Sequence, residues 1–514
     1  MQSSLMRFPG RFFLLALTPV WLAARPFTAL VYNVHNLHDV DGVAAYDDYQ
    51  PELYTPAHAL TKVQNITRVV AKFGAGQGPD IIFFQEIEID HTPGKNPPDH
   101  DAILKRYAGT TLDRMLGPGL DNEVADLPAE ALLLKAFADR GLTGYSVVAG
   151  SDGVDGAMVN GRPAQAIKCV LFTRFPVKEV RNYPITSARN ILEAKLDVDG
   201  HPLTVFNNHW KSGAVDASME LLRIQNAGVL RKRLDELLKA DPYADILIGG
   251  DLNSHYNQKR RYRKMSVTAV NDTLGSQGNE LAIRGPARDL YNLWFELPED
   301  ARGSDVFKSE WGTLMHLIIT RGLYDQRGVH YIDNSFGVGK FPGLNADAAG
   351  LPVRWSAEGA GGRGFSDHFP VFARFQTTEE NQSGKFIPLT REAAGHEGEA
   401  DGKVNKIDVS KTDFASAVVL AELPAGANLR DGTWTGKLFR VEAKALDGRL
   451  LRIEANGETY DVYGPRKAIR EQFYAQRREN AGTLTFYGEL GTYKGGWQFL
   501  VKFEEWVAAA RNDQ

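Results

Sequence analysis

Apolar residues fall into short runs separated by breaks rich in Gly, Pro and Asp. Runs at 27–34 (FTALVYNV), 81–84 (IIFF), 145–150, 166–174, 244–250 (ADILIGG), 314–320 (LMHLIIT) and 369–375 (FPVFARF) are rich in β-branched and aromatic residues. That texture predicts strands. The segments 191–198 and 201–209 flank Asp199-Gly200, a dipeptide that predicts a hairpin. The spacing of Ala227, Leu230, Leu234, Leu237 and Leu238 predicts an amphipathic helix over 216–240. Shorter helices are expected at 65–73 and 129–140, and residues 90–130 read as a long loop or insertion. Strands alternating with helices in mixed blocks imply an α/β sandwich.

From 376 to 412 the chain turns polar, which predicts a linker. Residues 413–508 then read as three strands, a helix opened by Pro465 and two more strands, the order of an OB-like β-barrel. At the other end, Arg7 and Arg11 precede an apolar stretch from Phe12 to Ala24. This stretch is too short to span a bilayer but has the form of a signal peptide over 1–24. A secreted or periplasmic protein is expected, without stable membrane insertion once the signal is removed.

Composition narrows the picture. Of 514 residues 24% are charged, with Lys+Arg 59 against Asp+Glu 64 and a net charge of −5. This is ordinary for a globular protein, so any nucleic-acid binding must come from a local patch. The single cysteine, Cys169, excludes an intramolecular disulfide framework and a cysteine-based zinc site. No protein partner can be inferred.

Chemistry-bearing residues gather at strand ends. Asn33 lies in YNVHNLHD, Glu86 in FFQEIE, His209 in NNHWKSG, Asp251 and Asn253 in GGDLNS, and Asp367 and His368 in GFSDHFP. Asp251 and Asn253 stand at i and i+2, so an extended backbone turns both to one face. Carboxylates, amides and imidazoles in this mixture suit phosphodiester hydrolysis. Mg²⁺ takes oxygen ligands and needs one or two protein carboxylates, which Glu86 and Asp251 can supply. The imidazoles then serve as proton carriers. Lys211, Ser212 and Arg189 are candidate phosphate contacts, and a basic run of Lys259, Arg260, Arg261, Arg263 and Lys264 follows Asn253.

The ordered set N-x-x-N-L, Q-E, N-H-W-K-S, G-D-x-N and S-D-H, spread over 27–375, resembles the endonuclease/exonuclease/phosphatase superfamily. The resemblance implies a four-layer, deoxyribonuclease I-like α/β sandwich with its site at one edge of two packed sheets. It implies Glu86 as metal ligand with Asn33 as its partner, and Mg²⁺ as the cofactor, with Mn²⁺ or Ca²⁺ as alternatives. It implies that Asp251 orients the attacking water beside Asn253. His368, assisted by Asp367, would contact the scissile phosphate, and His209 would be a general-acid candidate. Two departures stand out: Met315 occupies the place where relatives carry an Asp that steadies the catalytic histidine, and His35 replaces an acidic residue of the first motif.

The expected function is an exported, metal-dependent nuclease binding DNA or RNA. A phospholipid or small-molecule phosphodiesterase or phosphatase of the same fold is the alternative. A non-catalytic binding protein that kept the fold is the third reading. Trp434, Tyr460, Tyr463, Tyr487, Tyr493 and Trp497 make the C-terminal module a candidate stacking platform for single strands, set against the reading that most of them fill its core.

Overall fold

The computed structural model describes residues 25–91, 98–150, 158–159, 162–163, 165–286, 288–390, 405–424 and 426–512. The signal-like segment 1–24 lies outside them. Among the described residues no helix is long and apolar enough to cross a membrane.

The chain opens with β1 (Phe27–Leu37), α1 (Pro56–Val70), β2 (Ile81–Glu88), α2 (Ala129–Asp139), β3 (Ser146–Ala149), β4 (Ile167–Thr173), β5 (Val177–Tyr183), β6 (Ile191–Val198) and β7 (His201–His209). It continues through α3 (Ala217–Ala240), β8 (Ile246–Asp251), β9 (Leu290–Asn292), β10 (Met315–Ile319), β11 (Asp325–Tyr331) and β12 (Val371–Phe386). One sheet has the order β11-β12-β1-β2-β4-β3, with Gly337–Val338 added beside β12. The other has the order β9-β10-β8-β7-β6-β5, with Ser276–Gln277 added beside β9.

Side-chain alternation assigns the layers. Ala29 and Val31 of β1 point between the sheets, where they join Phe83, Leu171, Val205, Leu247 and Leu317 in one core. Leu30 and Tyr32 point the other way, onto Val63, Ile66 and Val70 of α1 and Leu133 and Phe137 of α2. On the far side, Phe206, Ile246 and Ile248 meet Ala227, Leu230, Leu234 and Leu238 of α3. The result is the expected four-layer helix–sheet–sheet–helix sandwich.

Local signals explain where the sequence reading shifts. The first helix begins at Pro56 rather than 65, because Pro56 sits at its first turn and Thr55 forms a capping box with His58. The stretch 90–130 is not simply a loop. Its aspartates and a threonine are N-caps: Asp99, Thr111 and Asp121 cap His100–Arg106, Leu112–Met115 and Asn122–Ala125. The Asp199-Gly200 hairpin forms as expected, with φ of 52° and 94° at its two residues.

The expected linker needs correction. Residues 376–386 complete β12, paired with β11. Residues 405 and 406 are also fixed: Trp311 N–H donates to Asn405 O at 2.7 Å, and Glu310 and Lys406 form a β-bridge. Within the expected linker only 391–404 lie outside the described residues.

The C-terminal module contains β13 (Leu438–Lys444), β14 (Arg452–Ala455), β15 (Glu458–Tyr463), α4 (Lys467–Glu479), β16 (Thr483–Tyr493), β17 (Gly496–Leu500) and α5 (Glu505–Asn512). Its strands run β13-β16-β17-β15-β14, with β15 and β17 parallel. A bridge between Ala445 and Ile453 brings β14 back to the end of β13. Of its aromatics, Tyr460 and Tyr487 are core, Trp434 and Trp497 are half-buried, and Tyr463 and Tyr493 are exposed.

The module does not hang from the sandwich. Ala349 belongs to the module's own core, with Ala348 and Leu351 packed against it. Lys502 Nζ bonds Asp347 Oδ2 and Glu489 Oε2, each at 2.7 Å. Arg363 Nη2 donates to Thr492 O at 3.3 Å, and Thr492 Oγ1 donates to Glu358 Oε2 at 3.0 Å. Truncation after Thr378 would therefore cut β12 and strip this interface, so it should not leave an intact sandwich. Removing the shared cation of this partly buried network leaves Asp347 and Glu489 facing each other uncompensated. Lys502→Met should lower stability by about 1–2 kcal/mol, measurable as a drop in urea midpoint at constant slope, with both units unfolding earlier.

Candidate active site

The site begins with an irregularity between β1 and β2. Their parallel register runs to Asn33 opposite Gln85 and resumes only at Leu37 opposite Ile87. Three residues, Val34 to Asn36, thus face Glu86 alone. His35, Asn36 and Glu86 take positive φ values of 56°, 59° and 63°. Each costs on the order of 1 kcal/mol or more in a non-glycine residue. The bulge re-aims Glu86 out of the strand's alternation, a use of bulges common beside active sites.

The second sheet supplies its half by close approach. A side chain on Gly249 would press on Val31 and Phe83 of the facing sheet, and one on Gly250, with φ of 141°, would lie 2.1 Å from Asn208 O. Only glycine fits, and Asp251 follows directly. Below it, Gln85 Nε2 donates to Asn207 Oδ1 at 2.7 Å and links the two sheets.

Asn33 joins the halves. Its fully buried side-chain Nδ2 donates to Glu86 Oε1 at 2.9 Å and to Asp251 Oδ2 at 3.0 Å. Asn253 N–H donates to Asp251 Oδ1 at 2.8 Å, while its amide Nδ2 donates to Trp210 O at 3.2 Å. His209 Nε2 stands 3.8 Å from Glu86 Oε1 and 3.9 Å from Asp251 Oδ2. His368 Nε2 is 3.9 Å from Asp251 Oδ2 and 3.6 Å from Asp367 Oδ1. Ser366 Oγ donates to Asn33 O at 2.7 Å and accepts from His368 N at 3.1 Å, which ties the last motif to the first strand.

The structure therefore brings Asn33, Glu86, His209, Asp251, Asn253, Asp367 and His368 together. Arg189 reaches the same place: it hydrogen-bonds Tyr46 and its charge acts on Glu86 and His209. Lys211 and Ser212 lie on the loop just after His209, half-buried and exposed, with Lys211 N–H held by Asn226 Oδ1 at 3.1 Å. Much of the basic run is structural: Lys259 pairs with Asp272 at 2.9 Å and Arg261 with Asn257 at 3.0 Å.

Three residues near the site escaped the sequence reading. Lys62, fully buried, donates to His35 O and packs over Trp355 and Tyr49. Arg354 stands 3.4 Å from His35 Nε2 and 3.9 Å from Asp367 Oδ2. Asp305 forms a β-bridge with His368. None belongs to a recognisable motif, and their proximity arises from loops and a short hairpin.

Burial raises the carboxyls of both Glu86 and Asp251, and Asp367 adds repulsion at Glu86. The two imidazoles diverge. Burial, Arg189 and His368 hold His209 well below its usual value. Burial would lower His368 too, but Asp367, Asp251, Asp305 and Glu86 together raise it to about 9. Burial also lowers Lys62 to about 7, against the pull of Glu86 and Asp367.

The donor set fits a hard divalent cation. Two carboxylates meet at one amide, and neither imidazole is close enough to either acid to hydrogen-bond it, which leaves oxygen lone pairs open at the mouth. A second acidic group, Glu280, Glu296 and Asp333, has oxygens within 4.8 Å of one another. It is not part of this site. Tyr331, whose hydroxyl donates to Glu296, pairs with Phe375, and Phe375 pairs with Phe27 at the start of β1. Asn33 is six residues further along that strand, about 20 Å away. Those acids are bonded to Tyr324 and Tyr331.

Residues 150–377 match the family model described as the Endonuclease/Exonuclease/phosphatase family. The match spans less than half of the chain and is a likeness of that region to the family. No curated protein matches the chain. Similar solved structures include an endonuclease/exonuclease/phosphatase protein from Beutenbergia cavernae, at 15% identity and a TM-score of 0.40, covering 69% of this chain and 72% of that one. The human Nocturnin catalytic domain with bound sulfate has 14% identity and a TM-score of 0.35, covering 69% and 94%. D. rerio TDP2 complexed with a single-stranded DNA product has 14% identity and a TM-score of 0.36, covering 68% and 98%. The family supports a phosphoester hydrolase.

His316, beneath this site, gives a stability test. Its Nε2 contacts Ser254 O at 2.8 Å and its Nδ1 contacts Asn292 Nδ2 at 3.1 Å. Burial lowers its pKa from 6.5 to about 4. Between those values the unfolded chain binds the extra proton, so stability rises with pH there. The contribution is fully present above about pH 6.5 and is lost as pH falls toward 4. Urea unfolding from pH 7 to 4.5 should show this loss, and His316→Gln should flatten the slope. An unchanged slope would contradict a neutral buried imidazole.

Proposed function

We propose that the chain is an exported, metal-dependent phosphodiester hydrolase acting on nucleic acid. The observation that carries the hydrolase reading is the Asn33 amide clamped between Glu86 and Asp251, with His209 and His368 facing the same two acids. Glu86 and Asn33 would hold Mg²⁺ with Asp251 alongside. Bound there, the cation would polarise a phosphoryl oxygen and neutralise the carboxylates.

This chain's own residues do the rest. Asp251 is fixed by Asn33 and by Asn253 N–H, so one carboxylate geometry is presented to an attacking water. His368 is cationic at neutral pH and suits a contact with phosphate oxygen. His209 is neutral and suits proton acceptance or orientation, which shifts its expected role away from general acid before substrate binds. Arg189, at the rim, provides a further cation for the phosphate.

The C-terminal strand order, with its parallel β15–β17 pair and its closing bridge, supports an OB-like barrel. Tyr463 and Tyr493 are exposed aromatics on its strands, and Lys494 Nζ lies 5.5 Å from the Tyr493 ring centroid. This pairing suits base stacking beside a phosphate contact. Export rests on the segment 1–24 alone.

Three measurements test the reading. Glu86→Gln should abolish Mg²⁺-dependent turnover of plasmid DNA, single-stranded DNA, RNA and bis(p-nitrophenyl) phosphate while leaving the melting temperature near wild type. Near wild-type rates would remove the metal assignment. His209→Ala and His368→Ala should each cost at least about 10²-fold in rate. Tyr463→Ala with Tyr493→Ala should weaken binding of long single strands by about tenfold or more and spare hydrolysis of the small diester. Unchanged strand affinity would exclude the stacking role.

A further inference from the structure

Met315 offers His368 no acid at the position where the resemblance implies one. The side chain is fully buried in the core between the sheets, opposite Asp251 in the β8–β10 register. An apolar thioether there can accept no proton from an imidazole. His368 Nδ1 is buried and has no hydrogen-bond partner, while Nε2 faces Asp251 and Asp367. The ring therefore has one face engaged and one nitrogen uncommitted.

A carboxylate arrives beside it from another element. Asp305–Phe307 pairs with Glu310–Gly312 in a two-stranded hairpin, and Asp305 forms an antiparallel bridge with His368. The hairpin is locked to the catalytic segment, since Phe369 N–H donates to Ser304 O at 2.6 Å. Asp305 is buried, 7% exposed. Its Oδ1 accepts from Ser304 Oγ at 3.0 Å and from Leu314 N–H at 3.2 Å. The carboxylate thus hangs beside residue 314, one position from Met315. Its other oxygen, Oδ2, occupies space that a side chain on Gly312 would fill, since a Cβ there would stand 1.9 Å away. Glycine at 312 is what admits the acid.

We propose that Asp305 is the positioning residue of His368, and that it takes over from the hairpin the role that position 315 no longer supplies. Oδ1 is held by Ser304 and Leu314, Oδ2 lies against Gly312, and the backbone bridge sets Asp305 opposite His368. Accepting the Nδ1 proton would fix the ring plane and leave Nε2 facing the reacting phosphate. Hydrogen bonds of this kind are long before substrate binds and tighten in the complex. Asp367 does not fill this role: it lies on the Nε2 side and is shared with His35 and Arg354.

The inference rests on the hydrolase reading, so the test has one arm that needs turnover and one that does not. In the first, Asp305→Asn is assayed on bis(p-nitrophenyl) phosphate with Mg²⁺, alongside Gly312→Ala and the double variant Asp305→Asn with Met315→Asp. Loss of a partner that orients a site histidine typically costs 10–100-fold. Asp305→Asn should lower kcat by about 30-fold with KM nearly unchanged, and Gly312→Ala should mimic it by displacing Oδ2. The double variant should regain much of the loss. Thermal melting shows which variants are folded. A folded Asp305→Asn enzyme with kcat within about threefold of wild type would overturn the proposal. In the second arm, ¹⁵N-histidine NMR of the metal-free protein follows the His368 Nδ1–H. That resonance should shift in Asp305→Asn, because the proton then faces an amide in place of a carboxylate. If wild type hydrolyses nothing, the functional reading fails and the NMR arm alone decides: an Nδ1–H unchanged by the substitution overturns the positioning role.

Discussion

Everything at the mouth of the sandwich depends on one amide shared by two acids. Asn33 Nδ2 donates to Glu86 on its own sheet and to Asp251 on the facing sheet. Two buried carboxylates held this close repel, and their burial raises both. A neutral donor between them relieves part of that cost without discharging either acid, as a lysine would. The amide also fixes the distance between the sheets where the chemistry occurs. Gln85 and Asn207 repeat the device one residue away, so the two layers are joined by side-chain hydrogen bonds as well as by apolar packing.

The amide could not find both partners in a regular sheet. In unbroken alternation Glu86 would follow Gln85 onto the opposite face, behind the site. The bulge opposite Val34–Asn36 turns it back, and the positive φ values at His35, Asn36 and Glu86 are the strain that results. Lys62 Nζ holds the carbonyl of His35 from beneath, and Ser366 Oγ holds the carbonyl of Asn33 from above. The surroundings thus over-determine a conformation that the chain would leave if free, which is the condition under which such strain persists.

The layered sandwich was legible in the sequence because its signals are local and periodic. Alternation along β1 and β7, the Asp199-Gly200 turn and the leucine stripe of α3 each declare an element and its buried face. The motif residues were legible because they stand at strand ends in a fixed order. What stayed hidden depends on long-range proximity. Asp305 sits in a three-residue strand with no periodicity, and only the bridge to His368 gives it meaning. Lys62 reads as an ordinary polar position of a helix, yet it is fully buried under the bulge. The aspartates of 99–121 looked like loop composition because capping and loop residues are the same residues.

The same reasoning changes what the C-terminal barrel is to the sandwich. A polar stretch suggested a tether, but polarity describes solvent contact rather than freedom. Residues 376–386 are polar because they extend an edge region of β12 that faces water, while their backbone remains paired with β11. Beyond them the barrel grips residues 347–363 through Lys502, Arg363 and the apolar contacts of Ala349. That gripped segment carries Arg354 and leads directly into Ser366, Asp367 and His368. The barrel therefore braces the segment that leads into the loop carrying His368. That brace is a connection that no motif in either unit encodes.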